Sequence, residues 1–204
     1  MKNFINAIIR FIKGLERPSK AANLRRLKER GEALDSFTIR EATAEDVPAL
    51  AELHVKTWNE TYPGIKHPPT FYVREYQWRE QFNSPNKHWF CLVVQNAQGK
   101  LVGFAKGLPY NHNDLPMFSG EVNKIYLLSQ YQRLGLGRKL LCAVINRFIA
   151  QGINSMVLFG VPQNPSGYFH EAMGARKLMN KKGGFDGGYG WYDLTQVTGL
   201  CSAT

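Results

Sequence analysis

An α/β fold is what this sequence predicts, and three observations predict it. Short apolar runs with strand character alternate with stretches of helical period. A glycine pair, Gly135 and Gly137, sits where one such run gives way to an amphipathic helix. The chain is 204 residues long and 44% hydrophobic, enough for one good core and too short for two ordinary domains once its N-terminal tail is set aside.

The elements follow in order. Residues 16–35 are polar and charged and read as a linker or a short helix stopped near Gly31. Residues 37–40 alternate as a strand. Thr43, with Asp46 three positions on, supplies an N-terminal cap for a helix whose apolar positions (Val47, Leu50, Ala51, Leu53, His54, Trp58) recur at helical spacing. That helix ends near Tyr62-Pro63-Gly64, and an aromatic-rich helix is expected over 70–83. Two strands, 88–94 and 101–107, are joined by the hairpin signal of residues 96–100. A strand over 121–128 precedes the helix 135–150, which stops at Gly152. Residues 156–161 form a strand, Pro165 opens a short helix ending at Gly174, and 188–193 is the last strand. We divide the chain into an N-terminal extension, residues 1–35, and one domain, 36–204.

Charge is unevenly placed. Residues 1–30 hold nine Lys and Arg against two Glu, so +7 of the net +10 sits there and the other 174 residues carry only +3. Phe4, Ile8, Phe11 and Leu15 recur at helical spacing, so residues 1–15 can form a basic amphipathic helix. Such a helix packs on its own domain or a second subunit, or lies on an anionic membrane surface. Without interleaved aromatics and base-reading polar groups, the tail gives no reason to expect nucleic acid as a partner. No apolar run approaches the roughly 18 residues of a membrane span. Cys91, Cys142 and Cys201 are odd in number and widely spaced, which suggests neither a disulfide framework nor a metal cluster and fits a reducing cytoplasm. The five histidines show no ligand spacing, so no metal is expected.

The segment Gln132-Arg133-Leu134-Gly135-Leu136-Gly137-Arg138 carries the most information. The first turn of a helix presents unpaired N–H groups at the positive end of its dipole, which suits a pyrophosphate. A dinucleotide fingerprint fails, because its third glycine position holds Leu140, and the ATP-type loop is absent. What remains, Gln-x-x-Gly-x-Gly after the strand 121–128, resembles the acetyl-CoA-binding segment of the GNAT superfamily of N-acetyltransferases. A second stretch, Asn164 through Ala175, resembles another superfamily segment. The likeness covers roughly residues 37–194.

The resemblance implies a mixed, mostly antiparallel sheet splayed at the CoA site and flanked by helices. It also implies transfer of acetyl from acetyl-CoA to a primary amine, of a small molecule or a peptide, by direct transfer in a ternary complex. Ile125, Tyr126 and Leu127 would offer backbone groups to the thioester, residues 132–138 the pyrophosphate loop, and Asn164 a hydrogen bond to the pantetheine arm; Asn164 reads equally well as the cap of the helix opened by Pro165. An amine nucleophile must lose its proton, and Glu121 stands where several superfamily members place a catalytic base; it could also be an exposed strand residue or a cation anchor. His170 occupies the position that often holds a Tyr acid, with Tyr168 as the other candidate for protonating the thiolate. By analogy Trp58, Tyr62, Tyr189 and Trp191 line the acceptor side; core packing explains each as well. The other reading is a non-catalytic acyl-CoA-binding or membrane-associated module. A homodimer is compatible with both.

Overall fold

A computed structural model describes residues 18–162 and 164–202. The basic amphipathic segment 1–15 lies outside the described residues. The helices are α1 (Lys20–Glu29), α2 (Val47–Thr61), α3 (Phe71–Asn83), α4 (Leu136–Ala150), α5 (Gly167–Ala172) and α6 (Thr198–Ser202). The strands are β1 (Thr38–Glu41), β2 (Phe90–Gln95), β3 (Leu101–Pro109), β4 (Gly120–Leu127), β5 (Met156–Phe159), β6 (Arg176–Met179) and β7 (Phe185–Trp191). They form one seven-stranded sheet in the order β1-β2-β3-β4-β5-β7-β6, which is the α/β fold expected.

The chain divides into two compact units. The first comprises, among the described residues, 18–87, 93–104 and 126–137. Helix α1 forms as the alternative to a linker: the Ser19 side chain accepts from the Ala22 N–H, and Gly31, at φ +67°, ends the run. The capping box at Thr43 and Asp46 is present, on a single 3-10 turn that leads into α2 rather than on α2 itself. Asp46 also accepts two hydrogen bonds of 2.7 Å from the Arg40 guanidinium. Leu50, Ala51, Val93, Val94, Val102 and Phe104 are fully buried. His54, buried, lies among Trp78, Phe104 and Tyr126, with ring centroids 5.9, 5.2 and 5.6 Å away. Gly103 has no Cβ because one would stand 3.0 Å from the Tyr126 carbonyl and closer still to the Leu127 side chain.

The second unit comprises 88–92, 105–125 and the chain from 138 on. Leu140, Leu141, Val144, Ile145 and Phe148 form the buried stripe of α4, at the i, i+4 spacing that the sequence displays. Strand β4 pairs with β5 in parallel only at Gly120↔Met156 and Glu121↔Val157. Strand β5 pairs antiparallel with β7 over four residues, and β7 carries β6 on its other side, with an irregularity between Leu178 and Met179.

One expectation is overturned here. Cys142 and Cys201 form a disulfide, with Cα atoms 5.6 Å apart. Spacing could not reveal it, because the partners lie 59 residues apart and meet only when α6 folds back beside α4. The bridge removes the argument for a reducing compartment that cysteine spacing offered.

Candidate active site

Within the first unit, the segment between β4 and α4 is a loop held by several side-chain hydrogen bonds. A 3-10 turn, Ser129–Tyr131, leads into Gln132 and then into two residues with positive φ, Arg133 at +64° and Gly135 at +85°. Arg133 is the one non-glycine residue in that region among the described residues, and such a backbone persists only where its surroundings hold it. The surroundings are plain. The Gln132 side chain donates from Nε2 to the Leu127 carbonyl at 2.8 Å. The Ser129 N–H donates to Glu60 Oε2 at 2.8 Å, and Asn23 Nδ2 donates to both the Ser129 and Gln132 carbonyls, each at 2.8 Å. Leu128, Tyr131, Leu134 and Leu136 are buried beneath, so the exposed Arg133 and Gly135 lie on the outer side of the turn.

A second layer holds this scaffold. The Tyr131 hydroxyl donates to Glu32 Oε1 at 3.1 Å, and the Arg30 guanidinium lies 4.7 Å over the Tyr131 ring. Burial alone would raise the Glu32 carboxyl; hydrogen bonds from Arg30, Asn96 and Tyr131 outweigh it and hold the group below the usual carboxylate range. The loop delivers the chain into α4, whose first N–H groups have no intrahelical acceptors. Two positive-φ residues, Arg133 and Gly135, just ahead of a helix start make a turn of the kind that suits a pyrophosphate, so the residues fit acetyl-CoA.

In the second unit, Glu121 is half-buried on β4 and accepts from Asn123 Nδ2 at 2.8 Å. Close to it on β3 is Lys106, whose ammonium sits 5.1 Å from the Trp89 ring centre. Burial lowers the Lys106 pKa, against the opposing pull of Cys91 and Glu121. Arg138, expected at the pyrophosphate, donates from Nη2 to the Leu200 carbonyl of α6. Asn164 Oδ1 accepts from the Ser166 N–H at 2.9 Å, and its carbonyl accepts from Gly167 N at 3.1 Å. This closes a turn of its own, so α5 begins at Gly167 and not at Pro165 as expected.

The remaining candidates separate by burial. His170 is only 3% exposed, its ring 5.2 Å from Tyr189 and 6.1 Å from Trp191. Tyr189 and Trp191 are themselves buried, and Trp191 Nε1 donates to the Met173 carbonyl at 2.8 Å. These three form an aromatic core layer. Tyr168 is 83% exposed. Trp58 and Tyr62, in the first unit, are half-buried with ring centroids 5.2 Å apart. Sequence reading missed Asn23, Glu32 and Glu60. Only the polar residue Asn23 at an otherwise buried helical position, one turn from Leu27, offered any signal.

A mixed seven-stranded sheet with a glycine turn between a strand and a helix is the setting in which the comparisons with known proteins fall. The model of the acetyltransferase (GNAT) family matches residues 48–175, and the chain belongs to that family. It is 30% identical over 171 residues to the uncharacterized N-acetyltransferase YuaI of Bacillus subtilis, covering 80% of this chain and 97% of that one. It is 29% identical over 162 residues to the phosphinothricin N-acetyltransferase of Streptomyces viridochromogenes, covering 76% and 83% of the two chains. Among solved structures it is similar in fold to the PaiA N-acetyltransferase of Thermoplasma acidophilum in complex with coenzyme A. The TM-score there is 0.60 at 21% identity, over 76% of this chain and 98% of that one. The chain is an acetyltransferase.

Proposed function

We propose that this enzyme moves an acetyl group from acetyl-CoA to a primary amine by direct transfer with both substrates bound. The observation that carries the reading is the anchored turn at Arg133 and Gly135, opening α4. When bound, acetyl-CoA supplies an activated thioester. Residues 132–138 hold its phosphates, Asn164 binds the pantetheine arm, and backbone N–H groups along Ile125–Leu127 donate to the carbonyl oxygen as it gains negative charge. Glu121, with one oxygen held by Asn123, takes the ammonium proton directly or through water. Trp58 and Tyr62 border the acceptor. The burial of His170 favours a packing role for it, so Tyr168 or solvent returns the proton to the thiolate.

A covalent acyl-enzyme is disfavoured, since Cys91 is buried and the other two cysteines are bonded to each other. Acetyl-CoA as donor supports a cytoplasmic enzyme, and among the described residues no helix is long and apolar enough to cross a membrane. The 1–15 segment remains the candidate for peripheral membrane contact or a dimer surface. A Glu121→Gln variant tests the chemistry. Its turnover in a thiol-release assay should fall by about 10²–10⁴-fold with CoA affinity kept. Unchanged turnover and pH profile would remove Glu121 as the base.

A further inference from the structure

The first unit contains a cation that the reading so far does not use. Arg74 stands one turn into α3, where Phe71, Tyr72 and Val73 face solvent. Arg74 itself is half-buried. Nη1 donates to Gln77 Oε1 at 2.8 Å, while Nε is buried with no hydrogen-bond partner among the described residues. None of the ion pairs formed among the described residues includes it. Leaving the inaccessible Nε–H of this half-buried side chain without an acceptor carries a desolvation cost that an incoming anion would relieve.

Its surroundings are suited to such an anion. Burial lowers the Arg74 pKa, and the nearby Tyr126 phenol partly offsets this. Tyr126 is itself kept protonated by burial and by a hydrogen bond with the Tyr62 hydroxyl, so it stands as a neutral phenol beside the cation. Tyr62 leans on Trp58 at 5.2 Å, which gives the polar cluster an aromatic wall. A planar fork with an uncommitted N–H, flanked by phenols and an aromatic face, is a receptor for a small planar oxyanion.

We propose that Arg74, with Tyr62 and Tyr126, binds a carboxylate carried by the acceptor, so that the amine acetylated belongs to an amino-acid-like compound. A polyamine or aminoglycoside would bring further positive charge against Arg74 and is disfavoured on the same ground. This rests on the acetyltransferase reading for its meaning, but its test does not depend on transfer.

The test is ligand-observed NMR binding of a set of L-amino acids, each paired with its own amide, to the full chain saturated with CoA. At least one acid should bind about tenfold or more tighter than its amide, and Arg74→Met should abolish that preference. Arg74→Lys, which keeps the charge without the fork, should retain part of it. Unchanged CoA affinity in both variants shows that they fold. Amides binding as well as acids, a preference that survives Arg74→Met, or no acid binding at all would overturn the proposal. An acid that binds but is never acetylated would instead count against the transferase chemistry and leave the anion site standing.

Discussion

Asn23 offers a demanding prediction, because it reaches the loop proposed to hold CoA from a helix that precedes the matched family region. Its side chain is fully buried, and one Nδ2 group serves two carbonyls, Ser129 O and Gln132 O, each at 2.8 Å. Asn23→Ala removes both bonds from these part-buried carbonyls, of which Ser129 O keeps the Gln132 N–H at 3.2 Å. At about 1 kcal/mol for each, the loss is about 2 kcal/mol. If all of it falls on the loop conformation proposed to bind CoA, affinity drops by roughly 30-fold. The Gln132–Leu127 and Ser129–Glu60 bonds remain and hold part of the geometry, so a loss between about 3-fold and 30-fold is expected. Asn23→Asp should be worse, since it sets a carboxylate oxygen against two carbonyl oxygens. Calorimetric titration of CoA into both variants, beside thermal melts, measures the effect. A CoA Kd within twofold of wild type for Asn23→Asp, in folded protein, would refute the claim that α1 shapes this loop.

Two further outcomes follow from the structure. The Cys142–Cys201 bridge closes a span of 59 residues, so Cys142→Ser, or reduction by dithiothreitol, should cost about 2–4 kcal/mol and lower Tm by roughly 5–15 °C; unchanged melting with and without reductant would contradict it. Arg40 holds the Asp46 carboxyl below its ordinary 3.8, so this contribution is complete above that pH and is lost as pH falls through the lower folded value. Asp46→Asn should therefore narrow its Tm deficit against wild type in acid, and a deficit constant from pH ~6 to ~2.5 would contradict the assignment.

The sheet and its helices were legible because their signals are local. The 3.6-residue stripe of α4, the Thr43–Asp46 box and the hairpin around Gly99 each lie within a few residues of what they specify. Strand β6 was missed for the matching reason: Arg176-Lys177-Leu178-Met179 is an edge strand, largely exposed, with no apolar alternation to announce it. The glycine loop could be read as an anion turn, but what holds it could not. Asn23, Glu32 and Glu60 reach it across separations of 109, 99 and 69 residues. For His170 the motif position suggested chemistry, and only the fold shows that it is buried beside Tyr189 and Trp191. Arg74 carried no motif at all; its interest comes from a buried Nε that only the fold exposes as unpaired.

The measurement that bears most directly on the central claim is calorimetric titration of CoA into the full chain, with thiol release from acetyl-CoA followed in parallel across a panel of amino acids, polyamines, aminoglycosides and peptide N-termini. The account predicts one CoA site with Kd in roughly the 1 μM–1 mM range, and turnover with at least one amine class. Folded protein that binds no CoA would contradict it.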